Sequence, residues 1–245
     1  MSNVPLELRA GDLRLALRPD LGGAIAGFWL GDTAVLRGTE ATELSGARLS
    51  GCYPLVPYSN RLGYRRFRWL GHEHTTQPNF DEGNPHSVHG VAWQRPWSVL
   101  SSSAAAAELS YTHAADAHWP FAFEAQQRFV LSADALELQL SITNRANAPQ
   151  PAGIDGDVAH LGFDNCFEGW KGPARIRDEK LSLRLTSSLP YLVVFTPATK
   201  PYYCVEPVSH VSNAIHMSDP PAHGLLALAP GATFEAWMKL EVEHV

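Results

Sequence analysis

The stretch AFEAQQRFVLSADALELQLSIT, residues 122–143, decides the fold class of this chain. Apolar side chains occupy alternate positions on both sides of a turn-like link at residues 132–135, and mostly polar residues lie between them. Alternation with a period of two residues is typical of a β-strand that buries one face and exposes the other. Two such runs joined by a short turn predict a β-hairpin over residues 122–143.

The same alternation recurs in the last third of the chain. The apolar positions there are Leu181, Leu183 and Leu185, and then Phe234, Ala236, Met238, Leu240 and Val242. The 18 prolines and 19 glycines fall mostly between such runs, where they indicate turns. No stretch combines helical spacing with helix caps. The sequence therefore predicts one all-β domain over residues 1–245, a large antiparallel β-sandwich with few helices.

The composition limits the classes of partner. The chain has 245 residues, of which 45% are hydrophobic and 18% charged, and this is ordinary for a globular protein with a substantial core. A formal net charge of −6 argues against nucleic acid or an anionic membrane as the main partner. No sequence feature indicates a protein partner, and the oligomeric state is left open.

Targeting and redox features predict a cytoplasmic protein. The first residues show no basic stretch followed by an apolar one, so we expect no signal peptide. No apolar run approaches the roughly 18 residues that a membrane helix needs. The three cysteines, Cys52, Cys166 and Cys204, are far apart and form no CxxC pair, which fits reduced thiols better than a disulfide framework.

Residues 53–97 contain the most informative candidate site. Its candidate substrate-binding residues are Asn60, Arg61, His86 and Trp93, and His89 is a candidate catalytic residue. Hydrogen-bond donors, imidazoles and an aromatic face between turn residues are what a site for a polyhydroxylated ring needs. Two alternatives remain open: the histidines make only structural hydrogen bonds, and Arg61 forms a surface salt bridge.

Two carboxylates complete the candidate site. Glu206 lies in an apolar strand, where partial desolvation is expected to raise its pKa into the range that suits a general base. The alternative is a glutamate at a strand end that faces solvent, since Pro207 is expected to end ladder pairing. Asp164 lies between aromatic residues, as in many sugar sites, but an Asx-turn explains it equally well.

Other kinds of site are disfavoured. The run His72-Glu73-His74 has no third ligand nearby, so we predict no metal site. The chain lacks the GxSxG motif of a serine hydrolase. Three arginines, Arg65, Arg66 and Arg68, are interpreted as the solvated face of a strand, with contact to the phosphate of a sugar phosphate as the alternative.

Four motifs together resemble the aldose 1-epimerase (galactose mutarotase-like) family over most of the chain. They are Asn-Arg-Leu-Gly at 60–63, His-x-x-His-Gly-x-x-Trp at 86–93, Asp-Asn-Cys-Phe-Glu-Gly-Trp at 164–170 and Val-Glu-Pro at 205–207. The resemblance implies a β-supersandwich and interconversion of the α and β anomers of a hexose without a cofactor. By position Glu206 matches the general base and His89 the first active-site histidine. Arg61 and Asp164 match substrate-binding positions.

The chain departs from the family at one place. A second histidine, in a His-Pro-Tyr-Phe-like element, usually follows the Pro-Ala-Gly strand and acts as the acid. Here residues 151–154 run directly into Asp155-Gly156-Asp157. Either the chain lacks the acid, or the sequence lacks an active-site loop; His160 is a weaker substitute. The alternatives to a mutarotase are a non-catalytic carbohydrate-binding protein and a hexose-phosphate 1-epimerase.

Overall fold

A computed structural model describes residues 5–153, 164–177, 179–197, 200 and 202–244, apart from the side chains of Asp164 and His244. These residues form 20 strands. In chain order the strands are β1 (Leu6–Ala10), β2 (Leu13–Arg18), β3 (Ala24–Leu30), β4 (Thr33–Ala34), β5 (Arg61–Leu62), β6 (Arg66–Trp69), β7 (His72–Thr75), β8 (Ser87–Val88), β9 (Ser98–Ser102), β10 (Ala106–His113), β11 (Phe123–Leu131), β12 (Ala135–Asn144), β13 (Gln150–Ala152), β14 (Asp164–Phe167), β15 (Ala174–Arg177), β16 (Leu181–Ser187), β17 (Tyr191–Phe195), β18 (Cys204–Val208), β19 (Leu226–Leu228) and β20 (Thr233–His244).

Helical structure within these residues is confined to five single turns of 3₁₀-helix. They are Ala47–Leu49, Gly63–Arg65, Ala92–Gln94, Ala214–His216 and Pro221–His223. No helix in the described part of the chain is long and apolar enough to cross a membrane.

The largest sheet has seven antiparallel strands in the order β15-β16-β20-β12-β11-β10-β9. Its centre is the predicted hairpin, in which β11 and β12 pair from Phe123 opposite Asn144 to Leu131 opposite Leu136. The other two alternating runs form β16 and β20, which pair with each other and extend the same sheet. The all-β prediction is therefore confirmed. The runs form strands in this sheet because each has one apolar face to bury.

A four-stranded antiparallel sheet, in the order β1-β2-β3-β4, supplies the second layer. Leu15 and Phe28 of this sheet belong to the same buried cluster as Phe123, Phe129 and Leu138 of the seven-stranded sheet. The core therefore lies between the two sheets, as expected for a β-sandwich.

The candidate site lies on smaller sheets around this core. Strand β5 pairs with β8, and this places Arg61 opposite Val88. A three-stranded sheet, in the order β14-β17-β18, carries Glu206 opposite Val193. Two further pairs, β6 with β7 and β13 with β19, complete the small sheets in the described residues.

Candidate active site

A cavity of about 790 Å³ brings together residues from distant parts of the chain. Four of the predicted site residues line it: Asn60, Arg61, His89 and Glu206. One wall is apolar and comes largely from the seven-stranded sheet, with Leu136, Leu138, Leu181, Leu183, Met238 and Leu240. A concave site with an apolar wall and a few convergent polar groups is typical of small-ligand sites.

Asn60 holds two other predicted residues in place. Its side-chain Oδ1 accepts hydrogen bonds from the backbone N–H of Arg61 at 2.8 Å and from Arg61 Nη1 at 3.1 Å. Its backbone carbonyl accepts the N–H of His89 at 2.9 Å, and its own N–H donates to His89 Nδ1 at 3.1 Å. The backbone of Asn60 is left-handed, with φ 55°, a conformation that asparagine adopts more readily than most residues.

His89 is neutral at physiological pH. The pKa of its imidazole is lowered to about 3, mainly by burial and further by the positive charges of Arg61 and Arg48. A neutral imidazole carries a hydrogen on only one of its two nitrogens, and Nδ1 already accepts a hydrogen bond from Asn60. The hydrogen therefore lies on Nε2, and His89 can donate it to an oxygen atom in the cavity.

Aromatic rings surround His89. The rings of Tyr53 and Phe80 meet the imidazole edge to face, at centroid distances of 6.2 and 6.1 Å. Trp93 packs against the same two rings at 5.6 and 6.2 Å. This packing excludes water from one side of the imidazole and contributes to the burial that is the main cause of its low pKa.

Gly90 fixes the backbone beside His89. Its φ is +66°, and a Cβ atom there would lie 2.2 Å from the carbonyl oxygen of Val56, with which Gly90 forms a β-bridge. Both the backbone conformation and the close approach therefore require glycine. The glycine in the His-x-x-His-Gly motif thus serves the placement of His89.

Glu206 is buried rather than solvent-facing, with 4% of its surface exposed. All five residues of β18 are buried. Pro207 lies inside this strand, opposite Leu192, and does not end it as the sequence suggested. Among the described strands β18 is at the edge of its sheet, a position where proline is tolerated because a missing N–H on the open side costs no ladder hydrogen bond.

His86 and Trp93 are not among the lining residues of this cavity in the described part of the chain. Nδ1 of His86 accepts the backbone N–H of Tyr64 at 2.9 Å. Trp93 is buried, and its Nε1 donates to the carbonyl oxygen of Val88 at 3.3 Å. Both residues support the segment that carries His89, and their contact with a substrate stays a prediction.

Three sequence predictions fall wholly or partly outside the described residues. Asp164 begins β14, with its Cα opposite Phe195, which lines the cavity, but its side chain is not described. His160 and the junction at residues 155–157 lie outside the described residues. The roles of Asp164 and His160 stay predictions.

Sequence reasoning missed several cavity residues because only tertiary packing brings them there. They are Arg37, Arg48, Tyr53, Phe80, Lys200 and Tyr202. Arg48 forms a bidentate ion pair with Asp81, at 2.7 and 3.2 Å, and its guanidinium lies 3.8 Å from the ring centroid of Phe80. Of these, Tyr53 and Phe80 had a local signal, since both lie in the segment 53–97 that holds the motifs.

The arginines at positions 65, 66 and 68 do not line the described cavity. Arg66 and Arg68 lie exposed on β6, and Arg68 Nε is 3.9 Å from a carboxylate oxygen of Glu73. The interpretation as a solvated strand face fits these positions better than phosphate contact. In the described residues, no three histidine, cysteine or acidic side chains are close enough to hold a metal ion.

The sequence profile of the aldose 1-epimerase family matches residues 6–155. This chain belongs to the aldose 1-epimerase family. The Escherichia coli protein YphB is 30% identical, over 96% of this chain and 98% of YphB. That alignment extends over 292 positions, whereas the chain has 245 residues, so YphB has residues without a counterpart here.

Solved structures show the same fold. A candidate aldose 1-epimerase from Escherichia coli K12 superposes with a TM-score of 0.86 at 28% identity, over 99% of each chain. The Slr1438 protein of Synechocystis has a TM-score of 0.81 at 20% identity, over 100% of this chain and 97% of its own. A galactose mutarotase-like protein from Clostridium acetobutylicum has a TM-score of 0.78 at 16% identity, over 98% and 95%. The last two likenesses concern the fold alone.

Proposed function

We propose that this family member is an aldose 1-epimerase that interconverts the α and β anomers of a hexose. The observation that carries the proposal is that Glu206 and His89 line one cavity, although over 100 residues separate them in the chain. Anomer exchange needs a base near the C1 hydroxyl and a hydrogen-bond donor near the ring oxygen. A buried carboxylate and a neutral imidazole match those two needs.

Glu206 is the general base in this proposal. It takes the proton of the C1 hydroxyl as the C1–oxygen bond of the ring breaks and the C1 carbonyl forms. Rotation about C1–C2 and reclosure on the other face give the opposite anomer. The other carboxylate in the described cavity wall, Asp81, is exposed and already paired with Arg48. Positioned proton transfer of this kind contributes roughly 10²–10⁴-fold to a rate.

His89 stabilises the charge on the ring oxygen. Its Nε2 hydrogen donates to that oxygen as negative charge develops there. Because the imidazole has a pKa of about 3, it acts as a neutral donor and not as an imidazolium acid. Water gives the ring oxygen the proton that completes ring opening. When the ring closes, the hydroxide that remains takes this proton back, and Glu206 returns its own proton to the C1 oxygen. Arg61, held by Asn60, binds sugar hydroxyls, and we assign Asp164 the same task.

Polarimetry of freshly dissolved α-glucose and α-galactose tests the proposal. Wild-type protein should speed the decay of optical rotation, and Glu206→Gln should fold but lose at least about 100-fold in kcat/KM, because an amide cannot accept the proton. Glu235→Gln is the matched control, since Glu235 is exposed on β20 and lies outside the cavity wall. Near-wild-type activity of Glu206→Gln would exclude Glu206 as the base.

The second candidate function is sugar binding without catalysis. The observation that favours it is the missing His-Pro-Tyr-Phe-like element after Gly153. A binding protein would give a saturable calorimetric titration with a sugar and no change in the decay of optical rotation. Accelerated decay that depends on Glu206 would reject this candidate.

A further inference from the structure

The seven-stranded sheet gives the cavity an apolar surface. Within the described residues, every side chain that this sheet contributes to the cavity is aliphatic or a methionine. This aliphatic wall consists of Leu136 and Leu138 of β12, Ile176 of β15, the three leucines of β16, and Met238 and Leu240 of β20. The residues of the proposed chemistry lie on the small sheets and the turns beside them. The polar and apolar parts of the cavity therefore come from different sheets.

The cavity is larger than one hexose requires. Its volume is about 790 Å³. A hexose has twelve non-hydrogen atoms, and even at the roughly 30 Å³ that a water molecule occupies in the liquid these atoms need about 360 Å³. The sugar therefore fills less than half of the cavity. The remaining space accommodates a further group of several carbon atoms.

Strand register makes the aliphatic wall continuous. Leu185 of β16 lies opposite Leu240 of β20, and Leu240 lies opposite Leu136 of β12. Met238 lies opposite Leu138 in the same way. Residues directly opposite each other on neighbouring strands are side by side on one face of a sheet. These leucines and the methionine therefore form one apolar surface across three strands.

Part of the aliphatic wall is accessible to a ligand. Ile176 lies opposite Leu183 and extends the wall to β15. Leu136 and Leu183 are buried, whereas Ile176, Met238 and Leu240 each keep part of their surface exposed. Contact between apolar surface and water is unfavourable, so the hydrophobic effect favours a hydrocarbon group that covers these side chains.

The aliphatic wall meets the site of the proposed chemistry at β18. Val205 and Glu206 are neighbours in this strand, and both line the cavity. Val205 belongs to the same buried cluster as Leu185, and Met238 and Leu240 pack against that cluster. A single ligand can therefore contact the base and the aliphatic wall at once.

We propose that the cavity binds a hexose that carries an alkyl or acyl chain, and that the chain lies on the aliphatic wall. This inference rests on the proposed function and names its substrate class. The C1 hydroxyl of such a sugar is free, because anomer exchange removes its proton. The chain is therefore attached to one of the other hydroxyl oxygens. The sugar ring occupies the polar part of the cavity, between His89 and Glu206.

Exchange NMR with the 6-O-methyl, 6-O-octyl, 3-O-methyl and 3-O-octyl ethers of glucose, below the concentration at which they form micelles, tests the proposal. We expect kcat/KM for at least one octyl ether to exceed that for its methyl ether by about tenfold or more, since several CH₂ groups leave water and part of that gain offsets the ordering of the chain. The two positions show which hydroxyl carries the chain. Equal kcat/KM for octyl and methyl ethers at both positions would overturn the proposal.

Met238→Gln makes the accessible part of the aliphatic wall polar with little change in side-chain length. It should lower the octyl-to-methyl ratio of kcat/KM by about threefold or more and leave kcat/KM for the methyl ether unchanged. Met217→Gln is the matched control, since Met217 is exposed and lies outside the described cavity wall. Ile176→Thr, which keeps a β-branched residue in β15, is the second variant with the same expectation. A wild-type ratio in both wall variants would reject the wall as the surface that binds the chain.

Calorimetry separates this proposal from the proposed catalysis. If no sugar is turned over, the epimerase function fails, but wild-type protein should still bind one octyl ether about tenfold more tightly than its methyl ether, with a negative heat-capacity change. Met238→Gln should reduce that preference. Turnover of glucose and of the methyl ethers without any preference for an octyl ether would retain the epimerase and reject the apolar substituent.

Discussion

Asn60 is the residue on which the polar part of the site depends. One amide side chain and its own backbone make four hydrogen bonds, which hold the Arg61 side chain and the His89 ring. The residue is buried and its backbone is left-handed. A change at this position therefore has two separable effects, one on the backbone and one on the hydrogen bonds.

Asn60→Gly and Asn60→Ala separate these effects. Glycine accepts the positive φ, so Asn60→Gly should retain more stability than Asn60→Ala. In urea denaturation, the free energy of unfolding of Asn60→Ala should be lower than that of Asn60→Gly by about 1 kcal/mol. Both variants should lose about tenfold or more in kcat/KM, because Arg61 is no longer held. If Asn60→Gly had wild-type kcat/KM, the amide would have no part in positioning Arg61.

Among the elements, β5 and β8 and the turn that follows β8 determine where the imidazole lies. Their pairing is only two residues long, with Arg61 opposite Val88. The β-bridge between Val56 and Gly90 adds a further backbone contact beside this short strand pair. The stability of this region therefore depends on the close approach at Gly90.

Gly90→Ala should destabilise the fold by more than the backbone conformation alone explains. A positive φ costs an alanine about 1–2 kcal/mol, and the clash with the Val56 carbonyl adds about 1–3 kcal/mol. Gly83→Ala is the matched control, since Gly83 has φ +80° and nothing within 4 Å of an added Cβ. Urea denaturation measures both. An equal loss in the free energy of unfolding of Gly90→Ala and Gly83→Ala would show that the close approach of Gly90 to Val56 adds no cost.

Sequence alone predicts the elements that depend on local pattern. The hairpin of β11 and β12 and strands β16 and β20 follow from alternation, because the period of a strand is visible within a few residues. The motifs around Asn60 and Glu206 identified a candidate site, and the structure brings four of its residues to one cavity.

The remaining features needed tertiary contacts. Pro207 was expected to end its strand, but whether a strand is at an edge depends on its neighbours. Arg37 and Lys200 have no motif around them, and only the packing of the sheets brings both to the cavity. The packing of the Trp93 ring against Tyr53 and Phe80 was likewise not visible in the sequence, and its contact with a substrate stays a prediction.

For the whole molecule, two histidines make stability depend on pH: His210, which is buried, and His89, which is partly buried. The pKa of His89 is lowered to about 3, mainly by burial. Burial also lowers the pKa of His210, whose Nδ1 donates to the carbonyl oxygen of Val211 at 2.9 Å. In the unfolded chain both imidazoles take up a proton near pH 6.5. The unfolded state therefore binds more protons below that pH, and stability is lost as pH falls.

We expect the free energy of unfolding to be constant near neutral pH and to decrease below about pH 6.5, by up to about 1.4 kcal/mol per pH unit for each histidine. For His89 the loss continues down to about pH 3. Urea denaturation between pH 7 and pH 5 measures the slope. His89→Gln should make this slope shallower. His72→Gln, a change at an exposed position, should leave the slope unchanged. A flat profile in the wild type would contradict the lowered pKa of both imidazoles.

The walls of the cavity come from segments that are synthesised far apart in time. Residues 48–89 supply one side, and Glu206 supplies the other. At a translation rate of about 5–20 residues per second, a growing chain contains the first side for several seconds before Glu206 is added. A sugar can therefore occupy its complete site only after β18, and then β20 with Met238 and Leu240 of the apolar wall, have emerged and docked. Bound sugar is thus a signature of completed folding, and a ligand added during expression should raise the yield of native protein by trapping chains that have reached that last step.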